Sequence, residues 1–411
     1  MKFKEHKQYR WVILIMLVLT WTMTFFSRFV WSPVIQSAAG DLGMTMSEAG
    51  SLMSAFYLGY LITQVPGGFI ADRYRPKIFM VIFTALVGVL TYGMSMVNGY
   101  TAAYTVRILA GLTAGPIMAF CSKILTENFA PNERSLAFGI FFASSSLGTL
   151  LANLLAPSIL VAYDWRTVFR VAAILIEVIM VLDVVLVPNP ERPPVLAADQ
   201  PKLIEGFKNY FSKKEAVIIS VAGFLFMAIP AGFSTWANNF MTSTSAGAGL
   251  AAAQAGMVMT VYAIFSVIGS IASGALSKKY KWNPKYYVII IFSAMTIFLL
   301  AWSRCMNMGA LIAVGVVFGL VSCAASNQLT TWVVNACGSK YSGTTSAIQN
   351  LLFQLSNIIF PTLAGGIIDK ATVDGVVTSY SGVWFMYASM MFVAAGVMFL
   401  TSAKSAADSI K

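Results

Sequence analysis

The sequence predicts an all-α membrane protein with twelve transmembrane helices arranged as two six-helix halves. Three observations support this prediction. The 411 residues are 58% hydrophobic and only 10% charged, whereas soluble domains carry about a quarter charged residues. Apolar runs long enough to cross a bilayer recur along the whole chain. Finally, features of the first half return in the second half at an offset of roughly 205 residues.

The hydropathy of the chain predicts twelve spans. They begin near residues 11, 47, 76, 100, 134, 166, 215, 249, 283, 307, 341 and 380. The first apolar run, from Trp11 to about Gln36, is longer than the apolar region of a cleavable signal peptide, and no small-residue cleavage site follows it. We therefore expect this run to stay in place as the first span.

The net charge of +11 is explained by membrane orientation. If the N-terminus is cytoplasmic, all but six of the 27 Lys and Arg residues lie in cytoplasmic loops and tails. The six exceptions are two arginines within spans and four basic residues outside: Arg28, Arg107, Arg166, Arg170, Arg304 and Lys370. Such a bias sets topology. We expect a multi-pass protein of the plasma (inner) membrane with both termini cytoplasmic, in contact with the lipid bilayer and with no nucleic-acid partner.

A polar, proline-rich stretch, PNPERPPVLAADQPK, divides the twelve predicted spans into equal sets. We predict an N-terminal six-helix bundle over residues 1–187, a cytoplasmic linker over 188–214 and a C-terminal six-helix bundle over 215–411.

Two motifs repeat between these halves. Gly68 in GGFIADRYRPK corresponds to Gly274 in SGALSKKYKWNPK, and Pro157 late in span five corresponds to Pro361 late in span eleven. A duplicated six-plus-six arrangement is typical of transporters, which bind substrate near the membrane midplane.

The residue inventory disfavours a metal centre and an enzyme. His6 is the only histidine and lies in the N-terminal tail, and the four cysteines show no CxxC spacing. Almost no acids lie within the predicted spans. We therefore expect no metal, no cofactor and no catalytic activity.

Two arginines lie well inside predicted spans, Arg28 in TFFSRFVWSP and Arg107 in span four. Each costs roughly 2.5–3.5 kcal/mol at mid-membrane on insertion scales. Both lie roughly 10–15 Å from the outer helix ends at 1.5 Å per residue, and hence at a common height. The planar fork of arginine suits carboxylate, sulfonate or phosphate. The alternatives are snorkelling of Arg28 to the headgroups and, for Arg107, a structural pair with a backbone carbonyl or a distant acid.

Over essentially its whole length the chain resembles the major facilitator superfamily. In the loop GGFIADRYRPK, four residues match the family signature, Gly68, Asp72, Arg73 and Lys77, whereas the two positions before Lys77 depart from the usual glycine–arginine. The resemblance implies the major facilitator fold, alternating access, and a cytoplasmic gate formed by Gly68, Asp72 and Arg73. A solvated loop that obeys the positive-inside rule is the alternative.

The resemblance narrows to the anion:cation symporter branch. It is carried by Arg28 in span one, SAFYLGYLITQVPGG in span two, NERSLAFGI and DWRTVF at the starts of spans five and six, and Trp236 late in span seven. Organic anions such as sugar acids and dicarboxylates are the substrates of that branch. The resemblance implies that Arg28 and Arg107 line the central cavity and bind the substrate.

The coupling mechanism is left open by one departure from the branch. Proton-coupled relatives tend to carry acids at the positions of Ser27 and Ala114 in this sequence. The substrate could therefore carry the proton, one anion could be exchanged for another, or an acid elsewhere could bind the proton. Glu177 in span six is our coupling candidate, and Asp183 in the same span is the other acid available.

Neutral polar and aromatic groups complete the predicted pocket: Tyr57, Trp236, Asn239, Asn327 and Asn350. Interhelical hydrogen bonding is the alternative role for such residues.

Together these features predict a monomeric secondary active transporter for a small organic anion of the carboxylate class. It would work by proton-coupled symport or anion exchange, with protons or a counter-anion as further partners. Alternatives are a drug/proton antiporter (an exporter) of the same fold and an inorganic or organophosphate anion carrier. An exporter would favour an acid over paired cations in its cavity, and span seven lacks the cation usual for organophosphate carriers.

Overall fold

The computed structural model describes residues 9–129, 131–188, 203–280, 282–322, 324–338 and 342–402. Over these residues the chain forms sixteen helices and one two-stranded hairpin. They pack into two compact units, Met1–Ala197 and Ala198–Lys411. The division between the units lies inside the segment 188–214.

The first unit contains eight helices in chain order: α1 Tyr9–Phe29, α2 Trp31–Leu42, α3 Met46–Arg73, α4 Pro76–Met94, α5 Tyr100–Ala114, α6 Ile117–Asn128, α7 Pro131–Ala162 and α8 Trp165–Leu186. The first predicted span is interrupted at Val30 and extends to Leu42, beyond the end we predicted near Gln36. The fourth predicted span is interrupted at Gly115–Pro116, because proline has no N–H to continue the helical ladder.

The second unit contains eight helices and two short strands: α9 Leu203–Ser212, α10 Lys214–Thr242, α11 Ala252–Tyr280, α12 Pro284–Trp302, α13 Met308–Ser322, α14 Ser326–Cys337, α15 Ser342–Lys370, β1 Thr372–Val373, β2 Val376–Val377 and α16 Ser381–Met398. Helix α9 lies in the segment predicted as a linker. It is held to its own unit because Asn209 Nδ2 donates to the Cys337 carbonyl at 2.8 Å and the Tyr210 hydroxyl bonds to Ser220.

The predicted spans agree with the helices. Each of the twelve predicted starts lies within three residues of the first residue of a helix. In the described part of the chain, nine helical segments are long and apolar enough to cross a membrane. Helix α8 is not among them because it carries four charged side chains, at Arg166, Arg170, Glu177 and Asp183.

The two units repeat one packing pattern. In the first unit α1 packs on α7 and α8, α3 packs on α5, and α4 packs on α8. In the second unit α10 packs on α15 and α16, α11 packs on α13, and α12 packs on α16. Since these helices correspond in order, the repeat seen in the sequence extends to helix pairing.

Glycines allow close approach of the helices at two of these crossings. A Cβ atom built on Gly111 of α5 would lie 2.0 Å from the Phe56 carbonyl oxygen of α3, and one built on Gly319 of α13 would lie 2.7 Å from the Tyr262 carbonyl oxygen of α11. Any larger residue would push the paired helices apart. Gly111 and Gly319 occupy corresponding places in the two units.

In both units a lysine side chain donates hydrogen bonds at the C-terminal end of the last helix, α8 in the first unit and α16 in the second. Lys77, in the first turn of α4, donates through Nζ to the Val184 carbonyl of α8 at 2.8 Å. Lys285, in the first turn of α12, donates through Nζ to the Phe399 carbonyl at 3.0 Å and the Thr401 carbonyl at 2.6 Å, just after α16. Cations stabilise helix C-termini because the last carbonyls carry partial negative charge. We call this pair of contacts the lysine caps.

Candidate functional site

Arg28 lies in the last turn of α1 with only 3% of its surface exposed. Its guanidinium carbon is surrounded by four aromatic rings, with distances to the ring centroids of 4.6 Å for Phe25, 5.1 Å for Phe56, 4.9 Å for Tyr57 and 4.7 Å for Tyr60. We call Arg28 and these four rings the arginine cage.

Helical spacing brings the arginine cage together. Phe25 precedes Arg28 by three residues on α1, so the two side chains share a face of the helix. Phe56 and Tyr60 are four residues apart on α3, with Tyr57 beside them. The negative faces of aromatic rings attract a cation, by about 0.5–2 kcal/mol for each well-placed ring. The rings therefore hold the guanidinium charge inside the protein without neutralising it.

The hydrogen-bonding capacity of Arg28 is incompletely used. Among the described residues, neither Nε nor Nη2 of Arg28 has a hydrogen-bond partner, although both atoms are buried. These two nitrogens form one edge of the guanidinium, the edge that binds a carboxylate through two parallel hydrogen bonds. A buried charge with unpaired donors is costly. An anion placed at this edge would pair with both donors.

Arg107 has a different environment from Arg28. Its Nε donates to the Leu52 carbonyl at 3.3 Å, Nη1 to the Ser27 carbonyl at 3.1 Å and Nη2 to the Arg28 carbonyl at 2.9 Å. The two arginines thus lie at one level, as their depths in the spans predict. Arg107 joins α5 to the backbones of α1 and α3. Its predicted role as a second substrate ligand stays a prediction.

Ser27 and Ala114, the positions where the resemblance to proton-coupled relatives would imply acids, carry no ionisable side chain. The Ser27 hydroxyl lies 2.7 Å from the Thr91 hydroxyl, and Ala114 is completely buried. Neither position supplies a titratable group to the arginine cage.

Glu177 lies away from the arginine cage, in a groove between α4 and α8. The groove has a volume of about 570 Å³, and its other lining side chains are apolar or aromatic, among them Val89, Tyr92 and Ile174. These three side chains are 46–61% exposed, as expected for a surface that faces lipid. The Glu177 carboxyl lies against Gly88, where a Cβ atom would be 2.1 Å from Oε1.

The remaining predicted pocket residues belong to the second unit. Trp236 is fully buried, and its indole N–H donates to the Pro361 carbonyl at 3.3 Å. Asn239 is 2% exposed, and its Nδ2 has no hydrogen-bond partner among the described residues. Asn350 is half-buried on α15. The side chain of Asn327 lies outside the described part of the structure.

Of the predicted gate residues, only Gly68 is fully described by the structure. Gly68 lies in α3, and a Cβ atom built there would meet nothing within 4 Å. Packing therefore does not require glycine at this position. The side chains of Asp72 and Arg73 lie outside the described part of the structure, so the gate stays a prediction.

The sequence indicates Arg28 and Tyr57 as site residues but not Phe25 and Phe56. Aromatic residues in membrane spans are usually packing residues, so these two do not stand out. The available signal was their helical spacing, three residues before Arg28 and one residue before Tyr57.

Comparisons with known proteins identify the family. A profile of the Major Facilitator Superfamily matches residues 16–361. The chain is 21% identical to the hexuronate transporter of Bacillus subtilis (strain 168) over 374 residues, which cover 87% of this chain and 88% of that protein. It is 23% identical to the probable galactarate/D-glucarate transporter GudP of the same organism over 297 residues, covering 65% of this chain and 64% of that protein.

Solved structures share the fold. The inward-facing, unoccupied structure of a bacterial homologue of the human lysosomal transporter Spinster superposes with a TM-score of 0.80 at 17% identity, covering 98% of both chains. The nucleoside transporter NupG superposes with a TM-score of 0.79 at 14% identity, covering 95% of this chain and 100% of that one. At these identities the similarity concerns the fold alone.

Proposed function

Because the chain belongs to the Major Facilitator Superfamily, we propose that it is a secondary active transporter that moves a sugar acid across the membrane with Arg28 as the anchor of its carboxylate. The observation that carries this proposal is the arginine cage, in which a buried guanidinium has one complete edge unused. Hexuronate and glucarate transporters among its relatives support the same substrate class.

The arginine cage favours one carboxylate rather than two. Arg28 and Arg107 are the basic residues well inside the predicted spans, and the donors of Arg107 are directed at three backbone carbonyls. One guanidinium edge balances one negative charge. We therefore propose a monocarboxylate such as a hexuronate as a better substrate than a dicarboxylate such as galactarate.

The aromatic rings suit the rest of a sugar acid. The hydroxyls of Tyr57 and Tyr60 are the groups of the cage that can hydrogen-bond to sugar hydroxyls. Asn239 and Asn350 of the second unit remain proposed substrate-binding residues on the resemblance, and Nδ2 of Asn239 has no hydrogen-bond partner among the described residues. Trp236 and Asn327 remain candidates on the resemblance alone.

Several further properties follow from this proposal. We infer that the protein lies in the plasma (inner) membrane with both termini cytoplasmic, since its basic residues concentrate on one predicted side. We also infer that it acts as a monomer by alternating access, without enzymatic activity or nucleic-acid binding. The gate of Gly68, Asp72 and Arg73 belongs to the same mechanism.

The test is substrate binding and exchange by the purified protein. Proteoliposomes loaded with D-glucuronate should take up labelled D-glucuronate by counterflow, and unlabelled D-galacturonate should compete better than galactarate. If labelled D-glucuronate shows no counterflow, a labelled cationic drug that does would contradict the proposal and favour the exporter. Counterflow of labelled inorganic anions or phosphate esters alone would favour the other carriers.

A further inference from the structure

A second ionisable group lies inside the first unit, away from the arginine cage. Asp183 of α8 is completely buried. Its Oδ2 lies 2.6 Å from the Thr20 hydroxyl of α1, and its Oδ1 has no hydrogen-bond partner among the described residues. Carboxyl groups are rare inside membrane bundles and costly to bury in the charged form. Helices can pack through apolar side chains alone, so a buried carboxyl group at Asp183 points to a role beyond packing.

The contact with Thr20 can serve two protonation states of Asp183. The Thr20 hydroxyl has a single proton and two neighbours, Asp183 Oδ2 at 2.6 Å and the Met16 carbonyl at 2.9 Å. When the carboxyl is ionised, Thr20 donates to Oδ2. When Oδ2 is protonated, it donates to Thr20, which turns its own proton to the Met16 carbonyl. Apart from the proton itself, the two states differ only by a rotation of the Thr20 hydroxyl.

The neighbouring charges do not fix Asp183 in one state. The helices packed on α8, together with α6 behind them, carry the following charged or titratable residues: Tyr9, Arg10 and Arg28 on α1, Asp41 on α2, Lys77 and Tyr92 on α4, Cys121, Lys123 and Glu127 on α6, and Glu133 and Arg134 on α7, the side chain of Arg134 lying outside the described part of the structure. Lys77 and Cys121 interact electrostatically with Asp183. Lys77 donates to the Val184 carbonyl at the end of α8, whereas the hydrogen bond to the Asp183 carboxyl comes from the Thr20 hydroxyl.

Helix α1 joins this group to the arginine cage. Thr20 and Arg28 lie eight residues apart on α1, a rise of about 12 Å. Between them, Thr24 and Ser27 are buried and hydrogen-bonded, Thr24 to the Thr20 carbonyl at 3.2 Å and Ser27 to Thr91. A change in the contact between α1 and α8 at Thr20 therefore acts on the helix that carries the anion anchor.

We propose that Asp183 is the proton-binding site that couples anion transport to a proton gradient. The inference rests on the proposed function and adds the coupling ion to it. One proton forms one O–H bond on the Asp183 carboxylate when the anion is bound, and that bond breaks when the proton leaves on the other side. One proton accompanies one monocarboxylate, so the combined movement is electroneutral.

Glu177, the acid that the sequence favoured for coupling, is the rival within α8. It lies in the exposed groove and has no hydroxyl partner among the described residues, whereas Asp183 is buried against the helix that carries Arg28. The variants Asp183→Asn and Glu177→Gln are therefore a matched pair, because each removes one carboxyl from the same helix with little change in volume.

The experiment measures two kinds of transport by each variant in proteoliposomes. An inward proton gradient should drive accumulation of D-glucuronate in the wild type, and an imposed membrane potential alone should not. Asp183→Asn should lose this accumulation by about tenfold or more while counterflow exchange stays within about twofold. Glu177→Gln should keep the proton-driven accumulation. Wild-type accumulation by Asp183→Asn, or a loss confined to Glu177→Gln, would overturn the proposal.

A second measurement is independent of D-glucuronate and has a further variant to use if Asp183→Asn does not fold. Infrared difference spectra of the purified wild type should contain a protonated-carboxyl band that titrates with pH and is absent from Asp183→Asn. If that variant does not fold, Thr20→Val should move the pH midpoint of the band, and an unchanged midpoint would overturn the proposal. Absence of D-glucuronate counterflow by the wild type would instead contradict the proposed substrate while leaving the band as the test of the proton site.

Discussion

Replacing Arg28 by methionine should separate ligand binding from stability. The variant removes Nε and Nη2, the two buried nitrogens that have no partner among the described residues. A hydrogen bond to a charged group contributes about 1.5–3 kcal/mol, so the loss of two should cost about 3–6 kcal/mol of binding free energy. That corresponds to a weakening of roughly 10²–10⁴-fold in Kd for D-glucuronate.

The same substitution should not destabilise the protein. It removes a charge whose insertion costs roughly 2.5–3.5 kcal/mol, and in exchange it loses cation–π attraction of about 0.5–2 kcal/mol per well-placed ring. Over the four rings the lost attraction sums to about 2–8 kcal/mol, a range that includes the charge term of opposite sign, and methionine fills most of the arginine volume. We therefore expect little change in Tm in the absence of ligand.

Calorimetric titration with D-glucuronate and thermal unfolding of the same purified samples measure both quantities. Arg28→Lys is the matched control, because it keeps the charge but loses the planar edge, and it should bind with an intermediate Kd. A fall in Tm of several degrees together with an unchanged Kd for Arg28→Met would refute the reasoning. Arg28 would then be a packing residue whose charge is tolerated by its four rings.

Three further outcomes are expected. Arg107→Met should lower the Tm, unlike Arg28→Met, because the Leu52, Ser27 and Arg28 carbonyls lose their donor; equal Tm values for the two variants would contradict this. Gly111→Ala should sharply reduce folded yield, since its Cβ atom would lie 2.0 Å from the Phe56 carbonyl oxygen, whereas Gly40→Ala meets nothing within 4 Å and should fold normally. Asp164 caps α8 by accepting from the Thr167 N–H at 2.6 Å, and hydrogen bonds from Thr167 lower the pKa of Asp164. At pH values above the ordinary pKa of aspartate, Asp164→Ala should lower the free energy of unfolding by about 1 kcal/mol. This difference from the wild type should vanish as the pH falls through the lowered pKa, and a pH-independent difference would contradict the capping role.

Hydropathy was sufficient to place the helices, because a membrane span must satisfy its backbone internally and its length is set by the bilayer. The helix interruptions were less predictable. Pro116 signals the break after α5, but the break at Val30 has no such signal. The end of α2 at Leu42 was missed because Asp41 and Gly40 are polar or small, although they continue the helix.

The candidate site was only partly predictable. The cost of a buried charge singles out Arg28 and Arg107 without a structure. What separates them is the set of partners, and the partners of Arg107 are backbone carbonyls 55–80 positions away in sequence. Carbonyls exist at every residue, so no sequence pattern reveals them. The contact between Thr20 and Asp183, 163 positions apart, is invisible for the same reason.

In the loop sequence GGFIADRYRPK, the lysine caps separate the role of Lys77, which binds a helix end, from that of Asp72. Lys77 has a counterpart in Lys285, which holds the end of the corresponding helix in the second unit. Asp72 has none, because Lys278 stands at its place in SGALSKKYKWNPK. The lysine contact is thus present in both halves, whereas the acid is present in one. The two loops therefore share an anchor at the helix end, and Asp72 is one difference through which they can respond unequally during transport.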